Sequence, residues 1–254
     1  MLEMFSLAGH VALVTGGGQG NGRSIAIGLA AAGAKVAVLD RNGETAAAVA
    51  EEIRQAGGTA VALTADITRD GDCTTACAET RRQLGPIAIL VNNAGINRRG
   101  AVTDADAADA WRETFAVNAE AQFSMVRAAL KDLTETRGSI INLGSIQSFV
   151  APLNLSTPYT ASKTAILGLT KALAAELAPV GIRVNGIAPG MIDTPMTKPT
   201  QANPEKMDAL HRHIPMKRIG KPDELIGVAV FLSSRAASYV TGAMIPVDGG
   251  YLAI

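Results

Sequence analysis

Short runs of valine, isoleucine and leucine alternate with longer alanine- and leucine-rich stretches of helical period, and the alternation continues along the whole chain. βαβ units around a parallel sheet produce that pattern. Seven runs read as strands, at 11–15, 35–40, 59–66, 87–93, 139–145, 182–189 and 243–248. Parallel strands are covered by helices on both faces, so they read as continuous apolar runs rather than alternating ones, and these do. The expectation is an α/β fold, a single doubly wound domain over residues 1–254 with a seven-stranded parallel sheet. Neither a linker nor an internal repeat interrupts it. Ligands of such sheets bind beyond the carboxyl ends of the strands. The first six runs end there in loops rich in Gly, Asn, Ser, Asp or Pro, so chemistry is expected in those loops.

Segment 190–222 departs from the alternation: it is polar, proline-rich and long for an αβ connection. Beside the ligand edge it reads as a substrate-binding loop or lid, with a tolerated surface insertion as the alternative.

Formal net charge is zero and no basic run occurs, so neither nucleic acid nor a membrane surface is an expected partner. The first residues lack a signal-peptide pattern, and no apolar stretch is long enough for a bilayer. A cytoplasmic protein acting on a small molecule is expected. Cys73 and Cys77 sit four apart on one helix face with no two further ligands nearby, which reads as free thiols. His211 and His213 lack further ligands as well, so no metal is expected, and His10 reads as structural.

After the first strand comes TGGGQGNG, Thr15 to Gly22. A strict G-x-G-x-x-G fails in every register, but T-G-x-x-x-G-x-G fits on Thr15, Gly16, Gly20 and Gly22. Glycines there let the backbone approach a pyrophosphate, and the helix that follows offers free N–H donors and the positive end of its dipole. This makes the domain a Rossmann-type nucleotide binder. Asp40 ends the second strand 18 positions after Gly22, near the spacing at which an acidic residue binds the adenosine ribose. A carboxylate there repels a 2′-phosphate, so NAD is expected over NADP, although Arg41 follows it. The alternative for Asp40 is a turn residue capping the next helix.

Tyr159 and Lys163 stand four apart in STPYTASKTAILGL, where Thr157 fits an N-cap and Pro158 the first helical position. Residues four apart share a helix face. A nearby ammonium and a helix N-terminus both favour the phenolate, so the pair reads as a tuned general acid–base. Ser145, at the end of the fifth strand, is placed to hold a carbonyl oxygen beside the phenol.

With Thr15–Gly22, NNAG at Asn92–Gly95, Asn118, Ser145, Tyr159–Lys163 and PGMIDT at Pro189–Thr194 in this order, the chain resembles the short-chain dehydrogenase/reductase family over essentially its whole length. The resemblance implies a catalytic tetrad of Asn118, Ser145, Tyr159 and Lys163. Tyr159 would exchange the proton, Ser145 would orient the substrate oxygen, Lys163 would lower the phenol pKa and hold the nicotinamide ribose, and Asn118 would anchor a relay water. Asp66 and Ile67 would meet adenine, Asn93, Ala94 and Gly95 would line the cleft, and Ile192 and Thr194 would meet the carboxamide. Gly16, Gln19, Gly20, Asn21, Gly22, Asp40, Arg41, Pro189 and Gly190 complete the cofactor-binding set. Asn21 departs from the isoleucine of many members.

Within the family, the closing VDGGYLA and the segments around Asn93 and Tyr159 are similar to the sugar-acid and polyol dehydrogenases. Arg98 and Arg99 follow a ligand-edge strand and suit a substrate carboxylate, with a solvated basic pair as the alternative. Gln147 and Asn154 suit substrate hydroxyls. Two other functions remain open: an NADPH-dependent 3-oxoacyl thioester reductase, and a noncatalytic dinucleotide-binding protein. The resemblance also implies a homotetramer.

Overall fold

The computed structural model describes residues 2–151 and 157–254. Seven strands form one all-parallel sheet: β1 Val11–Thr15, β2 Lys35–Asp40, β3 Thr59–Thr64, β4 Ile89–Asn92, β5 Ser139–Leu143, β6 Arg183–Pro189 and β7 Met244–Val247. All seven expected strands are present, and five are one or two residues shorter at an end than the apolar runs. Some residues beyond those ends leave the regular ladder; the Asn93 N–H, for example, donates to the side chain of Thr15, at Oγ1. Strand order is β3-β2-β1-β4-β5-β6-β7, so the winding reverses between β1 and β4. At such a switch point the loops diverge and leave a crevice.

The helices are α1 Gly20–Ala31, α2 Gly43–Gln55, α3 Asp70–Leu84, α4 Ala107–Phe115, α5 Ala121–Thr136, α6 Thr157–Leu177, α7 Lys198–Gln201, α8 Pro204–His213 and α9 Ile226–Ser233. Side chains alternate across the sheet. Ala12, Val14, Val36 and Val38 therefore pack on one face with α1, α2 and α9, while Leu13, Ala37, Leu39 and Leu90 pack on the other with α3, α5 and α6. This double cover explains the continuous apolar strands.

Cys73 and Cys77 are free and buried on α3. Burial pushes their thiols up to about 11 and about 12, so both are unreactive at neutral pH. Thr157, expected as an N-cap, is already helical, and α6 ends one turn before Gly181. Segment 190–222 is largely helical rather than a simple loop. A short turn at Pro195–Thr197 leads to α7 and α8, and a bridge between Ile192 and Gly220 closes the base of the excursion. Asn203 caps α8 by accepting from the Lys206 N–H, with Pro204 at the first turn.

One polar anchor ties α5 to the sheet. Asp132, 6% exposed, accepts from the Ile87 N–H at 3.0 Å and pairs with Arg81 at 2.5 Å. Asp132→Ala leaves that N–H without its partner and is expected to cost about 2 kcal/mol. In a domain of this size that lowers Tm by about 4–8 °C, readable by thermal unfolding. An unchanged Tm would show that the anchor contributes nothing.

Candidate active site

The end of β1 is fastened to the end of β4 by one hydroxyl. Thr15 Oγ1 donates to the Val91 carbonyl at 3.3 Å and accepts from the N–H groups of Asn93 at 3.0 Å and Ala94 at 3.1 Å. Asn93 returns two bonds, from Nδ2 to the carbonyls of Thr15 and Gly16. Gly16 has φ +61°, and a Cβ there would lie 2.9 Å from Ala94 Cα. Only glycine permits this turn. A Cβ on Gly22 would collide with the Gly16 carbonyl and the Asn93 amide. Gly22 packs α1 against the loop and is not among the residues that line the cleft.

Gln19 stands at the N-cap of α1 without a side-chain cap bond, leaving the first N–H groups of the helix open to a ligand. Asn21 Oδ1 is buried and has no partner among the described residues. Open donors and a glycine cradle fit the pyrophosphate half of a dinucleotide, whereas the Asn21 oxygen, an acceptor, does not bond to it. The Asp40 carboxylate accepts from the N–H of Gly18 at 3.0 Å and of Asn42 at 3.0 Å, so it braces the loop and shapes the turn into α2, whose cap is Asn42. These bonds give Asp40 the role of a turn residue, at a position on the cleft wall.

A cleft of about 310 Å³ opens at the switch point. Every expected cofactor residue except Gly22 lines it: Gly16, Gln19, Gly20, Asn21, Asp40, Arg41, Asp66, Ile67, Asn93, Ala94, Gly95, Tyr159, Lys163, Pro189, Gly190, Ile192 and Thr194, joined by Ser145. Asp66 accepts from the Thr68 N–H and hydroxyl, and these bonds hold its carboxyl below the usual range. Leu39, Thr68, Ile96, Val117, Gly144 and Met196 also line the cleft and were not expected. Their only sequence signal is lying within two residues of an expected one.

Ser145 leaves β5 as the cap of a short turn, accepting from the Gln147 N–H at 3.1 Å. Lys163 is 3% exposed and donates to the Leu143 carbonyl at 2.7 Å, with Nζ 5.6 Å from the centroid of the Tyr159 ring. Burial lowers the Lys163 pKa to about 8. The Tyr159 ring is enclosed by protein while part of it stays accessible. Burial pushes its phenol above the ordinary value, and a hydrogen bond with Ser145 pulls it back. The sequence expectation of a phenol lowered by Lys163 is corrected here, because desolvation outweighs the lowering influences and the opposing bond comes from Ser145. At neutral pH Tyr159 therefore carries its proton.

Asn118 is fully buried in a π-helical turn, Ala116–Glu120, between α4 and α5. Its Nδ2 donates to the Ile96 carbonyl at 2.9 Å and to Ser162 Oγ at 3.0 Å, while Oδ1 accepts from the Ile96 N–H at 2.8 Å. The side chain thus clamps the loop after β4 to α6, one turn from Tyr159 and Lys163, and does not itself line the cleft.

The expected substrate residues are less united. Arg98 is paired with Asp106 and Glu113, so its charge is already compensated. Arg99 donates to Thr200 Oγ1 on α7 at 2.7 Å and has no ion pair among the described residues. Both line a small neighbouring pocket with Thr157 and Pro158 rather than the main cleft. Gln147 is buried and accepts from Thr160 Oγ1 at 2.7 Å, also away from the cleft wall. Asn154 lies outside the described residues. His213 packs on Tyr251 with ring centroids 4.2 Å apart. No metal-binding cluster and no helix long and apolar enough to cross a membrane occur among the described residues.

Residues 16–252 match the family described as Enoyl-(Acyl carrier protein) reductase. The chain is 40% identical over 253 residues to the 5-keto-D-gluconate 5-reductase of Escherichia coli (strain K12), covering 99% of each chain. Identity to the gluconate 5-dehydrogenase of Gluconobacter oxydans is 39%, covering 98% of this chain and 96% of the relative. A crystal structure of a gluconate 5-dehydrogenase from Burkholderia cenocepacia, in complex with NADP and tartrate, superposes with a TM-score of 0.95 at 38% identity, covering 100% and 99% of the two chains. Fold, cleft and full-length similarity agree, and the chain belongs to the short-chain dehydrogenase/reductase family, enzymes that act on CH–OH groups with a nicotinamide dinucleotide.

Proposed function

We propose that this enzyme interconverts a secondary alcohol and a ketone on a small hydroxylated substrate, a sugar acid or polyol, and prefers NAD. The convergence of Ser145, Tyr159 and Lys163 on one cleft wall carries the reading. The names of the gluconate-oxidising and ketogluconate-reducing relatives support the substrate class.

When bound, the nicotinamide supplies hydride transfer. The chain's residues manage the rest. In reduction the Tyr159 phenol gives its proton to the carbonyl oxygen as hydride reaches the carbon, and in oxidation the phenolate takes the proton back. Ser145 Oγ orients that oxygen and steadies the phenol. Lys163 holds positive charge beside the phenol and binds the nicotinamide ribose. Asn118 positions the loop carrying Gly95 against α6, and its turn anchors a relay water. Arg99, with no ion pair among the described residues and poised between the loop after β4 and α7, is the better candidate for a substrate carboxylate than the compensated Arg98. Trp111, Phe123 and Leu130 leave apolar surface exposed along α4 and α5, which supports a homotetramer.

NAD preference rests on Asp40. Its carboxylate is fixed at the cleft wall, and a Cβ on Gly18 would sit 3.0 Å from it, leaving no room there for a cationic side chain to neutralise a 2′-phosphate. Like charges brought together cost several kcal/mol. Asp40→Ala is expected to raise the kcat/KM ratio of NADP to NAD by about tenfold or more. An unchanged ratio would remove Asp40 from cofactor choice.

A second reading is reduction of a 3-oxoacyl thioester with NADPH, and the acyl-carrier-protein substrate in the family description supports only its thioester part. Reduced-nicotinamide absorbance decides between them, with NAD and NADP offered alongside gluconate, 2-deoxygluconate, polyols and simple secondary alcohols, and NADH and NADPH offered with a 3-oxoacyl thioester. Turnover of a sugar acid supports the proposal. A signal only with NADPH and the thioester ends it.

A further inference from the structure

The sheet has a second opening, at the end opposite the cleft. His10 precedes β1, Ser139 begins β5 and Arg183 begins β6, and together they border a groove of about 660 Å³. Strands of five to seven residues place it roughly 17–23 Å from the catalytic edge. Three arginines line the groove, Arg137, Arg183 and Arg235, and no aspartate or glutamate does among the described residues. None of the three has an ion pair there.

Two serine hydroxyls in the wall are unpartnered. Ser139 is 2% and Ser233 6% exposed, and neither Oγ has a hydrogen-bond partner among the described residues. His10 Nδ1 is in the same position. Buried polar atoms are nearly always satisfied, so three orphans in one wall leave it with spare hydrogen-bonding capacity. Arg183 donates to the carbonyls of Leu232 at 2.8 Å and Ser234 at 3.2 Å, fixing the end of α9, and burial lowers its pKa. The remaining two arginines are uncommitted. Arg137 occupies a left-handed position at the end of α5, φ 52° and ψ 48°, where glycine is the usual residue. Its side chain lies over Gly181, whose added Cβ would come within 3.2 Å of it.

We propose that this groove binds a small oxyanion, a phosphate ester or a polycarboxylate, through Arg137 and Arg235 with hydroxyl bonds from Ser139 and Ser233. Arginine forks match both anions, and unpaired cations beside orphaned hydroxyls complement an acceptor-only ligand. The site is separate from the cleft, so its ligand does not compete with the dinucleotide.

Isothermal titration calorimetry on the full chain, saturated with whichever dinucleotide it binds, tests this with inorganic phosphate and citrate as probes against chloride of matched ionic strength. One site per chain is expected for at least one probe, and the preferred probe identifies the ligand class. Arg137→Gly combined with Arg235→Gln is expected to weaken binding at least about tenfold with turnover unchanged. Arg137→Gly suits the left-handed backbone, so Tm should hold, which separates lost binding from lost folding. Should the double variant fail to fold, Arg235→Gln alone must weaken binding about tenfold. Absence of binding by both probes, or binding unaffected by these substitutions, would overturn the site and leave the arginines as neutralisers of the helix C-termini.

Discussion

Tyr159→Phe is expected to lower turnover by about 10²- to 10⁴-fold while dinucleotide binding persists. The substitution keeps the ring beside Lys163 and removes only the hydroxyl that carries the proton. The pH dependence gives the same claim a second readout. Burial raises the phenol pKa, and the Ser145 bond only partly opposes it. The neutral-pH site therefore holds a phenol, competent for reduction. Oxidation needs the phenolate, so its kcat/KM should rise with pH towards the phenol pKa, while reduction should fall across the same range. Both limbs should vanish from the residual activity of the phenylalanine variant. Near-normal turnover in that variant would take Tyr159 out of the reaction.

Lys163→Met is expected to stabilise the protein and disable it. Burial lowers the lysine pKa to about 8 in the fold, from 10.5 for a free side chain. Between those pH values the unfolded chain binds more protons than the folded one, so this residue makes stability rise with pH through that window. Below about pH 8 the full penalty stands, on the order of 3 kcal/mol. Methionine fills similar volume without the charge, and the lost bond to the Leu143 carbonyl costs about 1 kcal/mol in return. A net gain of about 2 kcal/mol corresponds to a Tm higher by about 4–8 °C at pH 7. Turnover should fall by about 10²-fold or more, because among the described residues no other cation stands by the Tyr159 ring. A methionine variant less stable than the parent at pH 7 would show that the ammonium is well accommodated. A gain of this kind is the stability cost of keeping a charged group in a working site.

Much of this was legible in the chain because periodicity survives folding. Double-sided burial leaves continuous apolar strands, and a four-residue spacing keeps Tyr159 and Lys163 on one helix face. Strand ends were less legible: the runs were read through Asn93, Gly144 and Ser145, which the structure places beyond β4 and β5 on the cleft wall. Long-range partners carried no sequence signal. The clamp from Asn118 to Ile96 and Ser162 spans 22 and 44 residues, and it occupies a side chain expected only to serve a water relay. Arg98 resembled a carboxylate binder until folding brought Asp106 and Glu113 to it. The direction of the Tyr159 shift depends on desolvation, which tertiary packing decides and a helical spacing cannot report. Helices α7 and α8 were hidden by prolines that start helices here instead of breaking them.

Following the hydride itself tests the central claim most directly. The enzyme is incubated with NAD and gluconate deuterated at its secondary carbons, and the reduced cofactor is analysed by mass spectrometry and NMR. The predicted result is a reduced nicotinamide carrying one deuterium at C4, with a ketogluconate as co-product and no label transferred by Tyr159→Phe above its residual rate. Absence of reduced cofactor, with NAD and with NADP alike, would contradict the assignment of this site to sugar-acid oxidation.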